Sequence, residues 1–284
     1  MIKPISTGLT AAVFMLALGL ASDVTAQAAP SNPWTMVLAP ATTCHPDDDF
    51  GERLVAASAA IQAAMQRQET VNAAAKETFD AMDMSEKAQR MQAFMMQNPQ
   101  EAMKILQAEQ AAGTSGQADI AAAGESATRL EAELVQLQAS FNSAADQAVK
   151  PVQARQNELI KAKTVEVGEV AISMFTNAAD HAEYVRLIAE ENAAYERACA
   201  PYFGANGKFH TWLNSYRTEV IDRMISAAEA GEGALVGQMA AMGLPGGGYR
   251  PTTAFQEVDN FILKMSSVYQ LRRNKAKGWV ERRK

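Results

Sequence analysis

The chain has 284 residues, a formal net charge of −6, and few aromatics for its hydrophobic content. No stretch approaches the roughly 20 consecutive apolar residues that a membrane-spanning helix needs. Nine basic residues against Glu257, Asp259 and Glu281 leave Arg250 to Lys284 at +6, so the rest of the mature chain carries −12, which argues against nucleic acid along the body.

Residues 1–28 have the form of a secretory signal. Lys3 precedes an apolar run from Ala11 to Leu20, and Ala26-Gln27-Ala28 supplies a small-x-small cleavage site. The mature protein is expected to begin at Ala29 and to be exported, to the periplasm first and to the extracellular medium as the alternative. The apolar run is about ten residues, too short for a transmembrane anchor. The nearest cysteine to the cleavage site is Cys44, so no lipid anchor is expected.

Outside the cytoplasm two cysteines default to one disulfide, here Cys44 with Cys199. It would close a loop of about 156 residues, worth on the order of 5 kcal/mol in the chain-entropy model.

Residues 29–48 hold four of the ten prolines and read as an extended arm that Trp34 docks onto the body. Residues 49–200 read as a helical hairpin or bundle. Asp47, Asp48 and Asp49 suit a helix N-terminus, and Leu54, Ile61, Met65, Val71 and Phe79 recur at helical spacing to near Asp80. Asp83-Met84-Ser85-Glu86 has capping-box spacing before a helix over Ser85 to Gln97. Asn98-Pro99 then starts a helix to Ala112, and Gly113-Thr114-Ser115-Gly116 is the clearest turn.

From Gln117, Leu130, Leu134, Leu137, Phe141, Ala144 and Ala148 alternate spacings of four and three, as a coiled-coil seam does. Pro151 predicts a kink or a boundary, because proline lacks the backbone donor and crowds the preceding turn. Helical character weakens over Thr164 to Gly168 and returns from Glu169 to Cys199. Two architectures fit: an up-down bundle, or one long hairpin with arms 49–112 and 117–199. Both have an even number of passes and bring Cys44 and Cys199 to one end.

Residues 201–284 form a smaller helical C-terminal part. Tyr202 to Gly207 is a turn with Asn-Gly chemistry, followed by Phe209, Trp212, Tyr216, Val220 and Met224 on one helical face. Seven of the 17 glycines fall in 231–248, a loop without the Gly-Lys-Ser/Thr ending of a phosphate cradle. A last helix starts at a Thr253-Ala254-Phe255-Gln256 capping box, buries Phe255, Val258, Ile262, Met265 and Val268, and runs into a basic tail. Part of that charge suits a helix C-terminus; the rest is free to contact the acidic body or an anionic surface.

Catalytic signatures are absent from the sequence. His45, His181 and His210 stand in neither His-Glu-x-x-His nor Glu-x-x-His spacing, and no Gly-x-Ser-x-Gly elbow occurs. His45 beside Asp47, Asp48 and Asp49 reads as part of a helix start rather than a metal site, and Asp180-His181-Ala182-Glu183 as a solvated face. Six methionines fall between Met82 and Met103. Of these, Met91, Met95 and Met96 form an alternative soft-metal site suited to Cu(I), against the simpler use of methionine as adaptable filler.

The fold expected is therefore all-α: an elongated helical hairpin or coiled coil, or an up-down bundle, with a smaller helical C-terminal part. The function expected is a non-catalytic binding or scaffolding protein of the cell envelope, adaptor- or chaperone-like, with no cofactor. Protein partners or a second copy of the chain would dock on its helix surfaces. Soft-metal binding is the alternative reading and an enzyme the third.

Overall fold

A computed structural model describes residues 32–41, 44, 48–167, 172–230 and 252–280. The signal segment, His45, the loop 231–248 and the last four residues of the basic tail lie outside the described residues. The fold is an all-α bundle. Its elements are a 3₁₀ turn (Pro33–Met36), α1 (Asp48–Ala81), α2 (Met84–Gln97), α3 (Pro99–Lys163), β1 (Thr164–Val167), β2 (Ile172–Phe175), α4 (Ala178–Phe203) and α5 (Lys208–Tyr216). A π-helical turn over Arg217–Ile221 carries α5 into helical residues 222–230, and α6 (Thr253–Val280) closes the chain.

The expected turn at Gly113–Gly116 does not form. α3 runs unbroken through it for 65 residues, about 98 Å at the rise of an α-helix. Glycine inside a helix costs about 1 kcal/mol, which tertiary contact offsets here. Gly116 is buried, and a Cβ built on it would lie 3.5 Å from the Ala227 carbonyl, so the small residue lets the 222–230 helix approach.

The reversal of the long hairpin lies instead at β1 and β2, an antiparallel pair with Thr164 opposite Phe175 and Val167 opposite Ile172. Thr164, Val165 and Val167 are β-branched, and their stiff χ1 favours a strand over another helical turn. α4 then starts at Ala178 rather than Glu169, because Asn177 accepts from the Asp180 N–H at 2.8 Å and caps it. Asp83 caps α2 in the same way, accepting from the Glu86 N–H at 2.7 Å. Asn98 precedes Pro99 but makes no side-chain cap, and the fixed φ of Pro99 sets that start instead. α6 starts one residue earlier than its Thr253 capping box implies: the Thr252 carbonyl accepts from the N–H groups of Phe255 and Gln256.

Pro151 neither ends nor divides α3, although it removes one intrahelical bond. Its side chain faces solvent. Pro151→Ala restores the bond to the Gln147 carbonyl and is expected to raise stability by about 1–2 kcal/mol, the interior cost of proline less its restriction of the unfolded chain. Urea unfolding followed by circular dichroism measures it; an unchanged midpoint would mean that α3 has already absorbed the defect.

α3 packs along α4, and α1 along α6. Asp259 of α6 ties the second pair, accepting from Ser58 Oγ at 2.6 Å and Gln62 Nε2 at 3.0 Å. One apolar cluster takes residues from α1, α3, α4, α5 and α6, so 201–284 and the long helices share a core. At its centre Phe141, with no exposed surface, meets Tyr195, Tyr202, Phe203 and Phe209 edge-on at 5.2–6.3 Å.

The α3 seam departs from its heptad beyond Phe141. Ala145, Val149 and Val152 are buried, whereas Ala144 and Ala148 are half-buried. Buried positions thus repeat at eleven residues, Leu130 to Phe141 to Val152, close to the period of a straight helix rather than of a left-handed supercoil.

Candidate functional site

The residues singled out from the sequence fall in several separate places. Cys44 and Cys199 are disulfide-bonded with Cα atoms 5.9 Å apart, which pins the N-terminal arm to the end of α4. Trp34 docks the same arm, edge-on to Phe261 at 5.3 Å, with the Arg217 guanidinium 4.1 Å above its ring. His181 is exposed on α4.

Met91 is partly buried against Ala75, beside Phe79 and Met82, whereas Met95 and Met96 are exposed. The fold therefore uses Met91 as packing and leaves the other two thioethers at the surface. Among the described residues no group of three His, Cys, Asp or Glu side chains is placed to hold a metal ion.

Two buried polar clusters are not legible in the sequence. His210 Nε2 lies 3.0 Å from the Ala41 carbonyl and 2.8 Å from the Tyr269 hydroxyl, and that hydroxyl donates to the same carbonyl at 3.0 Å. Three segments distant in the chain are clamped there, with the disulfide nearby in the arm. Glu191 of α4, 1% exposed, accepts from Gln153 Nε2 at 2.7 Å and Gln156 Nε2 at 2.8 Å on α3. A buried carboxylate satisfied by two amides fixes the register of the α3–α4 pair, since a slip of either helix leaves it unpaired. Both clusters spend their polar groups on internal bonds.

One open feature among the described residues is a groove of about 600 Å³ between α3, the π turn and α6. It is local to the π turn for a physical reason. Asp222 N–H bonds the Arg217 carbonyl five residues back, which widens the helix there. Thr218 Oγ1 lies within hydrogen-bond reach of the carbonyls of Asn214 at 3.0 Å and Ser215 at 3.3 Å, and donates there at the start of the wide turn.

The α3 wall is made of small residues, Ala123, Gly124 and Ala127, with Ile120 at its edge. Gly124 has nothing within 4 Å of where a Cβ would stand, so the space beside it is open. Tyr216, Val220 and Met224 form the second wall; Leu263, Glu257 and Lys264 come from the third. Ile120 and Leu263, which line the groove from α3 and α6, are more than half exposed.

Charges at the groove are paired among the described residues, with one exception. Lys264 bonds Glu131 of α3, and Arg129 bridges Glu219 of the π turn and Glu133. Lys264 also stands 5.5 Å from the Tyr216 ring centroid. Burial pushes the Tyr216 phenol above its ordinary value, with the Lys264 ammonium opposing that shift. Glu257 is half-buried, lines the groove, and has no hydrogen-bond or ion-pair partner among the described residues. The combination is a concave surface with an apolar floor and, among the described residues, one unpaired negative charge.

Helical periodicity assigns Tyr216, Val220 and Met224 to one buried face. Val220 is buried, but the π turn offsets the face so that all three line the groove as well. A π turn has no sequence signature, so periodicity does not reveal the concavity.

Comparison with protein-family models, with curated proteins and with solved structures finds no match for this chain.

Proposed function

We propose that this protein is an exported, non-catalytic binding protein of the cell envelope, adaptor- or chaperone-like, that holds a protein partner on its helix surfaces. The observation that carries the reading is the groove of about 600 Å³, apolar in floor and rimmed by exposed Ile120 and Leu263. Concavities of this size and character are where proteins take up apolar groups.

Export is supported by the secretory form of residues 1–28 together with the disulfide, a bond that persists in oxidising compartments. No helix among the described residues is long and apolar enough to cross a membrane. The periplasm is the proposed location, with release to the medium as the alternative. A thioether copper site at Met91, Met95 and Met96 is less well supported, because Met91 is committed to packing against Ala75.

The test is a photo-crosslinking amino acid at Leu263, with Glu158 on the exposed side of α3 as control, in intact cells followed by mass spectrometry. Capture of one abundant envelope protein at Leu263 and not at Glu158 supports an adaptor; capture of many unfolded envelope proteins supports a chaperone. No adducts, or adducts only between copies of the chain, would sink the reading.

A further inference from the structure

If the groove binds protein as proposed, its chemistry also selects the partner, and that selectivity rests on the binding reading. Glu257 is a half-buried carboxylate on an apolar surface with no cation paired to it among the described residues, while Lys264, which lines the same groove, is already paired with Glu131. Partial burial of an unpaired charge is costly, and a ligand cation that reached it would recover that cost. The unpaired groove charge is thus negative, and the body around it is acidic as well.

The shape narrows the occupant. From Glu257 to Ser267 the α6 wall runs about 15 Å, close to three turns of an α-helix. Small residues on α3 leave a trough beside α6, lined by exposed Ile120 from α3 and exposed Leu263 from α6. Such a trough suits a helix that lays apolar side chains at i, i+3 and i+4 into it.

We propose that the groove is a receptor for an amphipathic α-helix of a partner protein, whose Leu-like face packs on Val220 and Leu263 and whose Lys or Arg meets Glu257. Selection for basic over acidic amphipathic helices follows from that one carboxylate and from the pairing of Lys264 with Glu131.

Gly124 allows a test that does not depend on damaging the fold. A Cβ there meets no neighbouring atom within 4 Å, and glycine to leucine in a helix favours folding, so Gly124→Leu fills the trough while leaving the bundle intact. The full mature chain would be titrated, with fluorescence anisotropy, against a dye-labelled 18-residue Leu/Lys amphipathic peptide and its Leu/Glu counterpart.

The Leu/Lys peptide is expected to bind at least about tenfold more tightly than the Leu/Glu peptide. Glu257→Gln should weaken Leu/Lys binding about fivefold, while Glu158→Gln, on the same acidic body, should leave it unchanged. Gly124→Leu should abolish binding without lowering the melting temperature.

Equal binding of the two peptides, an equal loss in both Gln variants, or undiminished binding by Gly124→Leu would each overturn the proposal. So would a concentration-dependent dimer that Gly124→Leu dissolves, since the groove would then be taken by a second copy. If no model peptide binds yet Leu263 still captures an envelope protein in cells, the helix inference fails and the binding reading stands.

Discussion

Reduction of the Cys44–Cys199 bond is expected to destabilise the protein by about 5 kcal/mol, more than a typical single side-chain truncation. The cysteines are 155 positions apart, so the bond removes the conformational freedom of more than half the chain from the unfolded state. For a chain of this size each kcal/mol is worth about 2–4 °C, so the melting temperature should fall by about 10–20 °C in reductant. Cys44→Ser combined with Cys199→Ala should reproduce that fall under oxidising conditions, with alanine at the fully buried position to avoid stranding a hydroxyl in the core.

The folded arm should survive reduction, because Trp34 remains on Phe261 and the Ala41 carbonyl remains bonded to His210 and Tyr269. The loss is then a property of the unfolded chain. Hydrogen exchange separates the two possibilities: slow exchange retained in the arm with a lowered melting temperature fits this account, whereas an unchanged melting temperature rules it out. The functional consequence is that the bundle is most stable where thiols are oxidised, in keeping with the proposed location.

Phe141→Ala is expected to cost about 3–5 kcal/mol through lost burial and the cavity left behind. Phe141 is wholly buried on α3, and the four rings around it come from α4 and α5. Edge-on ring pairs add to the area term, and Tyr202, Phe203 and Phe209 are held by one another and by Tyr269, which limits how far they can close the gap. Phe141→Leu keeps most of the volume and should cost about 1–2 kcal/mol.

Urea unfolding read through tryptophan fluorescence is a suitable measure. Trp212 is buried, donates to the Leu130 carbonyl at 2.7 Å and stacks on Tyr216 at 5.1 Å. A cost near that of Leu for the Ala variant would mean that the aromatic cluster collapses onto the space, and that α4 and α5 are less rigidly placed than their contacts imply.

Much of the helical plan is present in local residues. The α2 start is legible from Asp83 and Glu86 because a capping hydrogen bond needs only residues three apart. The face Phe255, Val258, Ile262, Met265 and Val268 is buried throughout, since a 3.6-residue period reports the side of a helix that meets a core. The disulfide follows from counting cysteines in a chain with a secretory N-terminus.

The departures from local expectation share a cause. Gly113 to Gly116 resembles a turn because local preference is all that a sequence window contains, and the packing of Gly116 against Ala227 outweighs it. Asn177 does not stand out as a cap while apolar spacing lets helical character begin at Glu169, between the two strands, although pairing with β1 holds Ile172–Phe175 extended. The heptad places Ala144 and Ala148 in the seam, yet a long straight helix drifts from a seven-residue repeat and buries Ala145 and Val149.

By itself the sequence determined an all-α protein, most of its helix starts and the pairing of Cys44 with Cys199, because caps, periods and cysteine counts are local or compositional. Only the tertiary structure decided where the long hairpin turns, which polar groups are buried together, and that a π turn opens a groove beside Glu257. Those depend on residues two hundred or more positions apart meeting in space, as Ser58 and Asp259 or Ala41 and Tyr269 do, and no window along the chain contains both members of such a pair.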